Sequence, residues 1–539
     1  MSTAPPSPPP KISRRRGCLL GVGVLLVSSL MLVGVGELLA RHGFAREKAA
    51  DARTLGSPIG FDRTFGFKGV PGFQGIVGGI RVGINEQGFR DDSWEEKLRR
   101  ARANPDRPRI LLLGDSMTYG YLISKDYRLS EQLESCYARH AGGAEVFNAA
   151  IPGYGPAEQM RVLERFLPVL RPTLVVLRYC SNDFGDSALP YDYRSPNRVY
   201  KPWYTVDGRL ALNERVPRRY SLKVRGTLLD HLDLKYAVDR LQYAFDDLGY
   251  MKWGIYSELG IKPGDKEHRS AVIAHLGLLA TDPASSPLFE KQKPRALALW
   301  SRMRDLCRDS GARFLITGTI DPAAEGGEPR LAADLDRLGL PFLNYRSALE
   351  PWQPWAYVEG DGHPNLVDNY IVATILFNEL QQQHLPVDFA DASWIRKMPF
   401  ALEMSGNREE HLLRWGPWGK TSHHMRDATS NSRFLLRNPV GNGPVDVEIT
   451  GVVPTPHPGQ AAEEETMQLI LPESASQHIT LPREGAFDIT FHFPSTRYPV
   501  LFLKINMEGA LGNKTGGPAS RSVKVHTAIA RAPSCRATP

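Results

Sequence analysis

Two short polar motifs, far apart in the chain, carry residue types that could do chemistry together. Gly114-Asp115-Ser116 follows the apolar run Ile110–Leu113, and Asp361-Gly362-His363 precedes the apolar run Tyr370–Phe377. A serine hydroxyl is a weak nucleophile at neutral pH, so it needs a neighbouring base, and the base needs a carboxylate to fix its tautomer. The two motifs therefore predict Ser116 as a nucleophile, His363 as its base and Asp361 as the acid that orients the histidine.

The elements that must position these residues are predicted from the apolar runs. Four consecutive apolar residues suit a parallel strand that is covered on both faces, and ligands of open α/β sheets bind beyond the carboxyl ends of such strands. Two further runs, Val146–Gly153 and Leu174–Asn182, also end in glycine or polar residues. Donors aimed at a developing oxyanion are worth about 3 to 4 kcal/mol each. The backbone N–H groups of Ser116 and Gly153 and the side-chain amide of Asn182 are candidate donors, with a simple turn role as the alternative.

These blocks together resemble the SGNH/GDSL hydrolase family. Gly114–Met117 is similar to the family's first block, with Met where the family name has Leu, and Gly153, Asn182 and His363 stand in its later blocks. The resemblance covers roughly residues 108–385. It implies a flavodoxin-like three-layer α/β/α hydrolase domain of the α/β class. It also implies Ser116 as nucleophile, His363 as base, Asp361 as its partner, and an oxyanion hole of Gly153 and Asn182.

Two positions depart from the family pattern. Cys180 replaces the glycine of the third block, and the acid stands two residues before the histidine, where the family has three and this chain has Gly360. Glu359 in place of Asp361, or a Ser-His dyad, therefore stays open. We expect neither a cofactor nor a metal at the site.

The N-terminus has the pattern of a membrane anchor. Lys11 and Arg14–Arg16 precede Cys18–Gly36, which carries no charge and is long enough for one spanning helix. We predict a disordered cytoplasmic segment over 1–16 and a transmembrane signal anchor over 17–40. The positive flank would place the catalytic domain on the periplasmic or outer side of the cell inner membrane. A cleaved signal peptide is the alternative.

Two further segments surround or interrupt the predicted catalytic domain. A lead-in over 45–107 contains Ile84–Asp91, for which packing against the sheet is the default role. An insertion over 186–290 predicts a lid or substrate wall, or else an ordinary structural insertion. Its aromatic and basic residues include Tyr191, Tyr193, Tyr200, Trp203, Tyr204, Arg218 and Arg219.

The pattern changes class near residue 395. Six short β-rich runs alternate with Pro/Gly turns, which predicts a C-terminal β-sandwich over 395–530. Carbohydrate binding through Trp394, Trp415 and Trp418 is one role for this region, and ordinary core positions are the other.

Composition limits the classes of function. The formal net charge is +7, but both ends of the chain are basic and the body is close to neutral, which argues against a nucleic-acid substrate. The five cysteines lack metal-ligand spacing, so no structural metal is predicted, and a disulfide among Cys136, Cys180 and Cys307 stays open. His423-His424 is interpreted as a surface pair because no third ligand accompanies it.

The predicted function is a serine esterase that acts through an acyl-enzyme. The expected substrate is an O-acyl ester, above all an O-acetyl ester, of cell-envelope or extracellular polysaccharide, and a lipid-like ester stays open. One alternative is an O-acetyltransferase, which would use the same site residues. The other is a catalytically degenerate envelope scaffold.

Overall fold

The computed structural model describes much of the chain, with gaps. It covers 14–43, 58–187 apart from 63, 78 and 79, parts of 201–212, 289–320, 327–358 and 362–389, the single residues 274, 286 and 392, and strands with some flanking residues between 401 and 532. Helix α1 (Arg14–Gly43) spans the predicted anchor, with side chains described for 24–39. Within the described residues, no helix combines the length and apolarity needed to cross a membrane, so the predicted anchor is not supported.

The described part of the lead-in contains two pairs of antiparallel strands followed by a helix. Its elements are β1 (Ile59–Asp62), β2 (Gly66–Gly69), β3 (Gln74–Val77), β4 (Ile80–Gly83) and α2 (Trp94–Ala103). Ser93 caps α2, because its side chain accepts a hydrogen bond from the Glu96 N–H.

A parallel sheet forms the centre of the catalytic domain. The strands that follow are β5 (Arg109–Leu113), β6 (Glu145–Asn148), β7 (Leu174–Arg178), the hairpin β8 (Tyr204–Val206) and β9 (Leu210–Leu212), then β10 (Arg313–Gly318) and β11 (Phe342–Asn344). In the described part of the chain the sheet has the order β11-β10-β7-β5-β6, and all its pairs are parallel. This is the flavodoxin-like order 2-1-3-4-5, as predicted, and its switch point lies between β5 and β7.

Helices cover both faces of this sheet. They are α3 (Ser116–Tyr119), α4 (Leu129–His140), α5 (Pro156–Leu170), α6 (Asp183–Asp186), α7 (Phe289–Asp309), α8 (Gly327–Arg337), α9 (Arg346–Leu349) and α10 (Leu366–Gln381). Helix α4 packs on α10, and α5 packs on α7. Ile110 and Leu112 share one core cluster with α4 and α10, while the alternate residues Leu111 and Leu113 are outside that cluster and equally buried. Burial on both faces explains why the strands are continuous apolar runs.

The C-terminal region consists of antiparallel strands, and each of the six predicted β-rich runs is a strand. The strands are β12 (Ala401–Glu403), β13 (Arg414–Trp415), β14 (Thr421–Ser422), β15 (Met425–Ala428), β16 (Ser432–Arg437), β17 (Val445–Val453), β18 (Thr466–Ile470), β19 (Gln477–Thr480), β20 (Gly485–Phe493), β21 (Val500–Glu508) and β22 (Val523–Arg531). Among the described residues they form a sheet β14-β15-β22-β17-β20, with β12 beside β22, and a second sheet β13-β16-β21-β18-β19. Every second residue of β17 is buried, as expected for strands with one face toward a core.

An aromatic cluster joins the second of these sheets to the catalytic domain. The Phe502 ring of β21 lies 4.8 Å from Trp352, 5.6 Å from Trp355 and 5.2 Å from Phe389, measured between ring centroids. Trp352 and Trp355 belong to the 3-10 helix Glu350–Trp355, a few residues before His363. The C-terminal sheets therefore share a core with the segment that leads into the histidine loop.

Several sequence predictions fall outside the described residues. They concern residues 1–13 of the segment that was predicted to be disordered, nearly all of the insertion 186–290, Trp394, Trp418, His423-His424 and the side chain of Trp415. Tyr204 is described, and it is buried on β8. Cys136, Cys180 and Cys307 are free thiols, so none of them forms a disulfide with another.

Candidate active site

Ser116 lies where the apolar strand β5 ends and α3 begins. The Asp115 side chain caps α3 by accepting a hydrogen bond from the Met117 N–H at 2.9 Å. Gly114 is required here because a Cβ atom would lie 2.3 Å from Thr118 Oγ1. The turn therefore holds Ser116 at the carboxyl edge of the sheet, beside the switch point between β5 and β7.

His363 lies in a short loop that precedes α10. The Val358 N–H donates to the His363 carbonyl at 2.8 Å, and the Asn365 N–H donates to the Ala356 carbonyl at 3.0 Å. The buried Asn365 side chain caps α10 by accepting from the Val367 N–H at 2.8 Å, and it donates to the carbonyls of Trp355 and Tyr357. These hydrogen bonds fix both ends of the loop.

The two motifs meet at the carboxyl edge of the sheet. His363 Nε2 lies 2.7 Å from Ser116 Oγ, although 247 residues separate them in sequence. When Nε2 is unprotonated, the serine hydroxyl donates to it, which is the geometry of a nucleophile and its general base. The Tyr121 ring centroid lies 4.8 Å from that of His363 and forms a wall beside the pair.

The predicted orienting acid is outside the described residues. Both Asp361 and the alternative Glu359 fall in that gap, so the choice between them, or a dyad, stays a prediction. Burial raises the pKa of the nearby Cys180 thiol well above its usual value. Cys180 is therefore a protonated thiol at neutral pH and does not compete with Ser116 as a nucleophile.

Gly153 follows β6 and Asn182 follows β7, the two strands that flank β5 in the sheet. Both predicted oxyanion donors therefore follow strands next to the strand that leads to Ser116. Gly153 has a φ of 82°, a left-handed conformation that favours glycine. The Asn182 amide nitrogen lies 2.8 Å from Asp115 Oδ2 and 2.8 Å from Asp186 Oδ2. Its hydrogens are thus directed at two carboxylates in this structure, and its role as an oxyanion donor stays a prediction.

A cluster of buried carboxyl groups lies behind the serine. Its members are Asp115, Glu158, Asp183 and Asp186, all at most 3% exposed. Burial raises the pKa values of Asp115 and Asp183, and the charge of Asp115 raises that of Asp183 further. The pKa of Asp183 therefore lies well above its usual value, because several carboxylates cannot all ionise readily in one desolvated cluster.

Glu158 gives the cluster a pH dependence that stability measurements can detect. Burial raises the pKa of Glu158 from 4.5 to about 7, although the charge of Lys201 opposes this rise. Between these values the folded state binds more protons than the unfolded chain, so its free energy of unfolding falls as pH rises. We expect Glu158→Gln to escape this loss. The free energy of unfolding of the variant, relative to that of wild type, should therefore rise by about 3 kcal/mol from pH 4.5 to 7.5.

Urea unfolding of both proteins across that pH range measures the difference. Glu164→Gln, on the same helix and a third exposed, is the matched control and should run parallel to wild type. Parallel curves for Glu158→Gln and wild type would contradict the assignment.

A buried arginine connects the elements that carry the site. Arg178, at the end of β7, donates to the Asp368 carboxylate, to Asn369 Oδ1 at 2.9 Å and to the Tyr345 hydroxyl at 3.0 Å. It also donates to the Met117 carbonyl, in the helix that begins with Ser116, at 3.3 Å. The network therefore links the serine turn to α10, the helix that follows the histidine loop.

The lead-in motif Ile84–Asp91 has a packing role, as expected, and also contacts the site. Phe89 is fully buried and stacks on Trp94 at 5.0 Å. Arg90 donates to the Gly120 carbonyl and, at 2.7 Å, to the Ile123 carbonyl. These carbonyls flank Tyr121, so the lead-in fixes the turn that packs beside His363.

Sequence reasoning missed Arg178, Asp368, Tyr121 and Lys201. An arginine at the end of the apolar run Leu174–Arg178 was a signal for the first, because a buried charge requires a buried partner. Lys201 carries no comparable signal in its own segment. Among the described residues, no group of three or more His, Cys, Asp or Glu side chains is arranged to hold a metal ion.

Comparisons with known proteins agree with the motifs. Residues 112–366 match the GDSL-like Lipase/Acylhydrolase family, and no curated protein matches the chain. One similar solved structure is a two-domain esterase active on acetylated mannans, co-crystallised with mannopentaose. Its sequence identity to this chain is 11%, the match covers 81% of this chain and 93% of that chain, and the TM-score is 0.27. Another is the psychrotrophic esterase EstA from Pseudoalteromonas sp., with 11% sequence identity. That match covers 51% of this chain and 97% of that chain, with a TM-score of 0.28. These structural similarities are too weak to bear on activity. The family match and the motifs together show that this chain carries an ester hydrolase domain of the SGNH/GDSL family.

Proposed function

We propose that this protein is a serine esterase that removes O-acyl groups, above all O-acetyl groups, from a carbohydrate through an acyl-enzyme. The observation that carries the proposal is the 2.7 Å contact between His363 Nε2 and Ser116 Oγ. A scaffold that no longer catalyses has no need to keep this contact across 247 residues. The contact therefore favours an enzyme over the degenerate scaffold.

The chemistry follows from the positions of the two side chains. Ser116 Oγ attacks the ester carbonyl carbon while His363 Nε2 takes the hydroxyl proton. The negative charge that develops on the carbonyl oxygen needs fixed donors, for which the N–H groups of Ser116 and Gly153 and the Asn182 amide are the candidates. Collapse of the tetrahedral intermediate expels the sugar oxygen, which receives the proton from His363. Water then attacks the acyl-enzyme by the same route and releases the acid.

The C-terminal sheets support a carbohydrate rather than a small soluble ester as the substrate. We propose that they form the predicted β-sandwich and hold a polymer chain beside the site. The Phe502 cluster supports this arrangement, because it joins one sheet to the segment that leads into the histidine loop. A location outside the cytoplasm stays a prediction from the N-terminal charge pattern.

Acetate release by the full-length chain tests the proposal. We expect hydrolysis of 4-nitrophenyl acetate and of acetylated oligosaccharides, with a kcat/KM that falls at least tenfold from acetyl to octanoyl aryl esters. A fluorophosphonate should label Ser116. The control is Ser310→Ala, at an exposed serine directly after α7, and this variant should be labelled like wild type.

The alternatives give different results in the same experiment. A preference for long acyl chains would favour a lipid-like substrate. Rapid labelling with little acetate release, but acyl transfer to an added sugar, would favour the O-acetyltransferase. Folded wild type that shows neither labelling nor turnover would refute an activated serine altogether.

A further inference from the structure

A lysine from the insertion is buried against the candidate oxyanion turn. The Lys201 side chain is 1% exposed, and its Nζ donates to the Gly153 carbonyl at 2.6 Å. The same ammonium lies 3.5 Å from Glu158 Oε1 and 3.5 Å from Asp186 Oδ1. Desolvating a lysine is costly unless charged and hydrogen-bonding partners replace its water, and these three contacts provide them.

Lys201 connects the Gly153 turn to the serine turn. Gly153 has a left-handed backbone conformation, and a hydrogen bond to its carbonyl fixes the peptide plane that follows it. On the other side, the Asp186 carboxylate that faces Lys201 accepts from the Asn182 amide at 2.8 Å. Asn182 in turn reaches Asp115, the neighbour of Ser116. A polar chain thus runs from Gly153 through Lys201, Asp186 and Asn182 to the serine turn.

Charge explains why a cation is needed at this place. Asp115, Glu158 and Asp186 are all buried close together, and an ionised carboxylate in such a cluster needs a cation nearby. Without Lys201, the Asp186 carboxylate would lose a cation that lies 3.5 Å from its Oδ1. The Gly153 carbonyl would lose the hydrogen bond from Lys201 Nζ, which is the contact that orients the turn.

We propose that Lys201 is a positioning residue that holds the Gly153 turn in the geometry of the oxyanion hole. This inference rests on the proposed esterase function and deepens it. It gives one residue of the insertion a direct part in assembling the site.

Kinetics of Lys201→Met test the proposal on the full-length chain. We expect kcat for 4-nitrophenyl acetate to fall about 10- to 100-fold, because small displacements of oxyanion donors are costly. KM should change less than about threefold, and fluorophosphonate labelling should slow in parallel with kcat, since both need the oxyanion hole. Lys291→Met, at an exposed lysine of α7, is the matched control and should keep wild-type kinetics.

A double variant separates positioning from a merely structural role. Lys201→Met leaves Glu158 without its cation and lowers stability, whereas Lys201→Met/Glu158→Gln removes that charge and should recover part of the loss. We expect the double variant to fold and to keep the low kcat. Recovery of both stability and kcat, or a kcat of Lys201→Met within twofold of wild type, would overturn the proposal. Wild type without turnover or labelling would instead refute the esterase function.

Discussion

Replacing Ser116 with alanine is expected to lower kcat for 4-nitrophenyl acetate by about 10⁴-fold or more, close to the uncatalysed rate. The reason is that in the proposed mechanism Ser116 Oγ supplies the attacking atom, and it lies 2.7 Å from Nε2 of His363, the proposed base. His363→Ala should cost about as much, because an unactivated hydroxyl is a poor nucleophile. The double variant should lose little more than either single variant, since the two side chains act as one unit. Steady-state hydrolysis with the three variants provides the measurement.

The controls distinguish loss of chemistry from loss of structure. Both side chains are only partly buried, so thermal unfolding of the variants should stay within a few degrees of wild type. Ser310→Ala should retain full activity. Retention of more than about a tenth of the wild-type kcat by folded Ser116→Ala would show that the nucleophile is another residue. Additive losses in the double variant would show that Ser116 and His363 do not act as one unit.

Replacing Arg178 with methionine is expected to lower the free energy of unfolding by about 3 to 5 kcal/mol. The side chains of Arg178 and Asp368 are 1% and 2% exposed, so the change leaves a carboxylate buried without its cation. Burial raises the pKa of Asp368, and the Arg178 charge lowers it. The variant therefore protonates Asp368 or exposes it, and either response costs free energy. The Tyr345 hydroxyl and Asn369 lose a hydrogen-bond donor as well.

Urea unfolding at pH 7 measures this loss, and a second substitution tests its cause. Arg178→Met/Asp368→Leu removes both charges and should recover a large part of the stability, as replacing a whole buried ion pair by apolar residues often does. Arg308→Met, at an arginine whose side chain is 68% exposed, should change stability by less than about 0.5 kcal/mol. An Arg178→Met protein within about 1 kcal/mol of wild type would contradict a structural role for the network.

The two substitutions probe different layers of one site. In the proposed mechanism Ser116 acts on the ester itself, whereas Arg178 holds together the serine turn and the helix that follows the histidine loop. Arg90 of the lead-in holds the turn that carries Tyr121, because it donates hydrogen bonds to the Gly120 and Ile123 carbonyls. The site therefore depends on segments that lie before, within and after the motif-bearing part of the chain.

The catalytic sheet was predictable because its signals are local. Ile110–Leu113 and Leu174–Arg178 are continuous apolar runs, and strands buried on both faces require such runs wherever they stand in the sheet. The C-terminal strands show the alternating pattern of one buried face, as in β18 (Thr466–Ile470), where every second residue is buried. The anchor over 17–40 was inferred from an apolar run and its positively charged flank, and the described residues do not support it.

By itself the sequence determined which residues stand at strand ends and which short motifs carry the proposed nucleophile and base. Apolar periodicity and turn residues encode these features within a few positions. Only the tertiary structure decided which side chains meet: Ser116 with His363, Arg178 with Asp368 and Lys201 with Gly153. Such partners lie between 48 and 247 residues apart in sequence, so they depend on how whole elements pack and on which buried charges then require neutralisation. No local pattern contains that information.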